Sequence, residues 1–93
     1  MSKRIAIKDI ETAVRIYYLH PELGTSEIKE LFNCSSSTAT RLKNQVKIVQ
    51  RERGILTFSD CHVNTRCAYE VWKIDVKDLE EKLVKYRSLW GNQ

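Results

Sequence analysis

The residues that could bind a metal ion are three cysteines and two histidines, at Cys34, Cys61, Cys67, His20 and His62. Cys61, His62 and Cys67 are close enough in sequence to suggest zinc ligands. However, the chain has no Cys-x-x-Cys pair, and Cys34 belongs to an apolar pattern described below. We therefore predict no bound metal and no cofactor, and we expect the cysteines to remain thiols in a reducing compartment.

Three consecutive serines at 35–37 and the three glycines are the other residues with catalytic potential. No Gly-x-Ser-x-Gly turn surrounds the serines, and neither histidine has a suitably spaced acid. Gly24, Gly54 and Gly91 do not form a phosphate-binding loop. The serines are better explained as helix caps, so the sequence argues against an enzyme and against a small-molecule ligand.

Positive charge is concentrated in one segment of the chain. The sequence carries 16 lysines and arginines against 12 acidic residues, for a net charge of +4. Residues 36–53 hold five of these bases and a single acid, Glu52, so the remaining residues are balanced. A basic helix face is often only a solvated surface, but this concentration is also the electrostatic footprint of an element that contacts phosphates.

Five helices are predicted from apolar residues that recur three and four positions apart. Pro21 ends the first helix, Asn33 suits the exit of the second, and Gly54 suits the end of the third. Asn64 or Thr65 can cap the fourth. The predicted helices span residues 8–20, 26–33, 36–53, 64–73 and 76–90.

The chain is therefore predicted to be one all-α domain over residues 1–93. The alternative is a winged helix with a hairpin within 55–74, in which Ile55–Phe58 pairs with Ala68–Ile74 and Arg66 adds a phosphate contact. No apolar stretch approaches the roughly 18 residues of a membrane span, and no signal-peptide core is present at the N-terminus. We expect a cytoplasmic protein with no membrane partner.

The segment from Thr25 to Asn44 has the layout of a short helix, a three-residue turn and the start of a longer helix. The positions that must be apolar to pack two such helices together are all apolar here. They are Ile28, Phe32, Cys34, Ala39 and Leu42.

The same segment resembles the helix-turn-helix signature of bacterial and phage DNA-binding proteins, a Glu-Ile-Ala start, a Gly-Val-Ser turn and then Thr-Val-Ser-Arg. The residues that carry the resemblance are Glu27, Ile28, Ser35, Thr38 and Arg41. The resemblance covers about residues 25–44 and implies that the second helix binds in the major groove of DNA.

Two residues depart from the family pattern. Lys29 replaces the small residue usual where the two helices cross, so either its stem points outward or the crossing opens. Asn33 replaces the usual turn glycine, which asparagine can do because it tolerates the left-handed conformation.

Projection of residues 36–53 onto a helical wheel places a polar and basic face opposite the apolar one. Near the helix start this face has side chains that can hydrogen-bond to base edges. The predicted base contacts are Ser36, Ser37, Thr40, Arg41 and Asn44. The predicted phosphate contacts are Ser35 at the helix start and, further along, Lys43, Lys47 and Arg51.

The last predicted helix has an apolar seam with steps of three and four residues. It consists of Val76, Leu79, Leu83, Tyr86 and Trp90. Two arrangements would cover this seam: packing against the first helix, or pairing with a second copy. A homodimer would place two third helices on half-sites about one DNA turn apart.

The sequence favours a small transcriptional regulator, or an accessory factor of a mobile element, that binds double-stranded DNA. A second hypothesis is a protein-interaction module on the same scaffold, such as a phage inhibitor of a host system, whose basic face meets an acidic surface. Tyr17 and Trp72 could stack on unpaired bases, but they lie on predicted apolar faces and are expected in the core.

Overall fold

The computed structural model describes residues 6–91, with side chains as far as residue 88. The described part of the chain forms five helices and two short strands. The helices are α1 (Ile10–Leu19), α2 (Thr25–Phe32), α3 (Ser36–Arg53), α4 (Thr65–Val71) and α5 (Val76–Gly91), and the strands are β1 (Glu22–Leu23) and β2 (Val63–Asn64). This mostly helical architecture confirms the all-α prediction, with each helix within a few residues of its predicted bounds.

Capping residues account for the positions of the helix ends. The Ser35 hydroxyl accepts a hydrogen bond from the Thr38 amide at 3.3 Å, and the Asn64 side chain accepts one from the Cys67 amide at 2.9 Å. At the other end of α3, Gly54 adopts φ 71° and ψ 25°, a left-handed conformation that glycine enters without strain. The bounds of α3 therefore follow from its two flanking residues.

A two-stranded sheet joins distant parts of the chain. β1 and β2 pair antiparallel, with Glu22 opposite Asn64 and Leu23 opposite Val63. Leu23 and Val63 are fully buried. This pairing ties the entry to α2 to the entry to α4, and it was not predicted from the sequence.

The winged-helix alternative is wrong because the hairpin that it places within residues 55–74 does not form. Residues 55–58 form no strand, and most of the proposed partner segment, Ala68–Ile74, lies in or just after α4. The side-chain cap from Asn64 directs the following residues into a helix, which removes the second strand of the hairpin.

The core lies between the first four helices and includes Ala13, Ile16, Ile28, Leu31, Val46 and Ala68, all fully buried. Tyr69 is also buried, and its hydroxyl donates to the Ala13 carbonyl oxygen at 2.7 Å. Burial raises the pKa of Tyr69 well above its ordinary value of 10.0. Tyr17 and Trp72 are half-buried and pack against this core, which confirms the expectation for both.

The N-terminal half of α5 packs against α1. Leu79 packs against the core, and the Tyr18 hydroxyl donates a hydrogen bond to Glu80, which raises the pKa of Tyr18. Further along, Leu83 is half-buried, whereas Val84 is 67% exposed. Leu79, one residue of the predicted dimer seam, is thus partly buried against the core of its own chain.

Of the other seam residues, Tyr86 is 59% exposed, and the side chain of Trp90 lies outside the described residues. Within the described residues, no helix combines the length and apolarity needed to cross a membrane.

Candidate nucleic-acid interface

The helices α2 and α3 are joined by the three residues 33–35. Asn33 adopts φ 52° and ψ 52°, the left-handed conformation expected of the residue that replaces the turn glycine. The apolar residues predicted to pack the two helices are Ile28, Phe32, Ala39 and Leu42, all buried, and Cys34, which is half-buried against the core. Lys29 is exposed, so its stem points away from the crossing of the helices.

The five predicted base-contacting residues share the outer surface of the N-terminal half of α3. Ser36, Ser37, Thr40, Arg41 and Asn44 are all exposed. From Ser36 to Asn44 the helix rises about 12 Å. The major groove of B-DNA is also about 12 Å wide, so a groove could enclose this whole surface.

Two of the predicted phosphate contacts already have hydrogen-bond partners near the start of α2 and α3. Ser35 is exposed, but its hydroxyl serves as the α3 cap and donates to the Thr38 hydroxyl at 3.1 Å. The Lys43 ammonium donates to the Thr25 hydroxyl at 3.3 Å. Lys43 thus places a positive charge beside the N-terminus of α2.

The other two predicted phosphate contacts lie further along α3. The Lys47 ammonium donates to the main-chain oxygen of Asp60, so it contacts the loop after α3. Arg51 is exposed and forms no ion pair with any described residue, and the same holds for Arg41. These two guanidinium groups are available to an anionic partner.

Arg53, the last base of α3, has a different environment. Its guanidinium lies 2.5 Å from a carboxylate oxygen of Glu70 on α4, and this hydrogen bond raises the pKa of Arg53 further. Its charge is therefore compensated within the protein. The positive charge open to an external partner is carried by the bases on the outer side of α3.

An open cleft of about 400 Å³ lies between the C-terminal half of α3 and the loop 54–62. Its α3 wall includes Lys47 and Arg51, and its loop wall includes Leu56 and His62. The buried side chain of Gln50 accepts a hydrogen bond from the main-chain amide of Asn64, the second residue of β2. This bond and the sheet fix the end of the loop relative to α3.

The loop 54–62 also carries two side chains whose exposure the sequence did not indicate. Leu56 is 91% exposed and Phe58 is fully exposed. The Phe58 amide donates to a Glu22 carboxylate oxygen at 2.6 Å, and His62 Nδ1 lies 3.3 Å from the other oxygen of that carboxylate. Sequence patterning could not show this, because the contact joins residues far apart along the chain.

None of the three cysteines is among the residues predicted to contact DNA. All three are free: Cys67 is buried, Cys34 half-buried and Cys61 exposed. Burial raises the pKa of the Cys67 thiol, which keeps it protonated. Among the described residues there is no group of three or more histidine, cysteine or acidic side chains arranged to hold a metal ion.

The chain matches no protein-family model, no curated protein and no solved structure. Function must therefore be inferred from the surface of α3 and from the loop beside it.

Proposed function

We propose that this protein binds double-stranded DNA in a sequence-specific manner, with α3 in the major groove. It acts as a small helix-turn-helix transcriptional regulator or as an accessory factor of a mobile element. The observation that carries the proposal is the outer face of α3, where exposed hydrogen-bonding residues are followed by bases that have no acidic partner.

Base recognition belongs to the N-terminal half of α3. The short side chains of Ser36, Ser37 and Thr40 allow the helix to approach the base edges closely and can either donate or accept hydrogen bonds. Asn44 suits the paired donor and acceptor of adenine, and Arg41 suits the two acceptors of guanine. These contacts supply the sequence preference.

Phosphate binding belongs to residues at both edges of this surface. Lys43, beside Thr25 at the start of α2, contacts the backbone on one side of the groove. Lys47 and Arg51 contact it on the other, where α3 leaves the groove. Ser35 contributes through the α3 N-terminus that it caps, because helix N-termini favour anions.

A homodimer remains part of the proposal. Pairing through the distal part of α5, from Leu83 onward, would bring two copies of α3 to neighbouring half-sites. Exposed Val84 and the half-buried Leu83 support a contact in this region.

Replacement of Asn44 by alanine tests base recognition, with Gln45→Ala as the matched control. Both residues are exposed amides on α3, but Gln45 points about 100° away from Asn44 around the helix. After selection of a preferred site from a random duplex library with the wild-type protein, Asn44→Ala should weaken binding to that site roughly 5- to 150-fold. Gln45→Ala should leave it within about twofold.

Selection with Asn44→Ala should also relax the preference at one base pair only. Circular dichroism checks that both variants stay folded, which is expected because neither amide is in the core. Failure of the wild-type protein to select any sequence, or an equal loss from both replacements, would contradict the assignment.

A further inference from the structure

The loop 54–62 exposes Leu56 and Phe58 more fully than any other large apolar side chains among the described residues. Removing either of these large apolar side chains from water is favourable. Two such side chains, two positions apart in one loop of a small protein, therefore mark a contact surface.

Hydrogen bonds hold this loop in its shape. The Phe58 amide donates to Glu22, the Thr57 hydroxyl donates to the Ser59 carbonyl at 2.8 Å, and the His62 amide donates to the same carbonyl at 3.1 Å. The loop thus presents the Phe58 ring outward from a fixed backbone, which lowers the entropy lost when the ring binds a partner.

The loop lies beside the surface of α3 proposed to contact phosphates. The Lys47 ammonium donates to the Asp60 main-chain oxygen, and Arg51 lines the same cleft. Helical periodicity places Lys47 and Arg51 on the same side of α3 as Ser36 and Asn44. Arg51 lies about 22 Å along the helix axis from Ser36, which is more than the width of one major groove. The loop next to Arg51 therefore flanks the point where α3 crosses the DNA backbone.

We propose that the loop 54–62 inserts Phe58, with Leu56 beside it, into the minor groove adjacent to the major groove that holds α3. There the ring wedges between neighbouring base pairs and bends the duplex. This inference rests on the proposed DNA binding. The positive charges of Lys47 and Arg51 next to the loop favour the phosphate-lined groove over an apolar protein surface.

A duplex of about 30 base pairs, labelled at its two ends with a donor and an acceptor fluorophore, tests the wedge by energy transfer and by titration. Wild-type protein should increase the transfer. Phe58→Ala should abolish that increase and weaken binding about tenfold, with an unchanged salt dependence because no cation is lost. Leu19→Ala, which truncates an apolar side chain that is 65% exposed on α1, outside the proposed DNA-binding and dimer surfaces, should match the wild type.

Thermal unfolding should be the same for all three proteins, because Phe58 makes no contribution to the core. If Phe58→Ala binds and bends the duplex like the wild type, or binds more weakly but bends it equally, the wedge is overturned while DNA binding stands. If the wild-type protein binds no duplex at low salt, the proposed function itself fails. A bend that only Phe58→Ala loses supports the wedge.

Discussion

Two arginines near the end of α3 allow the proposed DNA contacts to be separated from the effect of net charge. Arg51 is exposed, faces the proposed DNA side and forms no ion pair with a described residue, whereas Arg53 is paired with Glu70 on α4. Replacement of either one by glutamine removes the same charge from the same helix. Arg51→Gln therefore removes a proposed phosphate contact, whereas Arg53→Gln removes none.

The expected size of the effect follows from the number of cations on the DNA side. Lys43, Lys47 and Arg51 give three phosphate neutralisations per monomer, and each contributes about −0.9 to the slope of log K against log salt concentration. The wild-type slope should be about −2.7, and twice that for a dimer. Arg51→Gln should reduce it to about −1.8, whereas Arg53→Gln should leave it unchanged.

The assay is fluorescence anisotropy of a labelled mixed-sequence duplex at a series of salt concentrations. The Arg53–Glu70 pair is exposed to solvent and contributes little to the free energy of unfolding, so Arg53→Gln remains folded. Equal slopes for the two variants would refute the reasoning, because DNA affinity would then depend on total charge and not on the face of α3.

Two further predictions concern stability. Because the pKa of Tyr69 is higher in the folded than in the unfolded protein, the contribution of this hydroxyl to stability is fully present below pH 10 and is lost as the pH rises above that value. In urea titrations, the free energy of unfolding should fall by up to about 1.4 kcal/mol per pH unit in that range, and it should fall less in Tyr69→Phe. Gly54→Ala should lower the free energy of unfolding by about 1 kcal/mol. The cause is backbone strain at φ 71° and not a clash, since no atom lies within 4 Å of the added Cβ. Gly54→Asn, which tolerates that conformation, should recover most of the loss in the same urea titration, and an equal loss in both would contradict this reason.

Local signals made most of the helical fold predictable. The bounds of α3 agree with the prediction because Ser35 and Gly54 are strong caps at either end. The exposure of the α3 face followed from periodicity alone, since one side of an amphipathic helix must be buried. The same periodicity could not show that Lys47 contacts the loop after the helix.

The features that sequence analysis missed depend on contacts between distant residues. Strands β1 and β2 have two residues each, too short for alternating polarity to be recognised, and the pairing of Glu22 with Asn64 spans about half of the described chain. The exposure of Phe58 depends on that pairing and on Glu22, which accepts its amide hydrogen. Only the winged-helix alternative predicts a strand at 55–58, where the chain forms a loop.

The β1–β2 pairing also affects how the chain can vary during evolution. With Gly54 ending α3 and Val63 fixed by Leu23, the loop begins and ends at points that the rest of the fold determines. Doubling the length of a flexible loop costs only about 0.6 kcal/mol in closure entropy. Insertions and deletions between these points can therefore remodel the surface beside α3 while the helix, its caps and its exposed face are inherited unchanged.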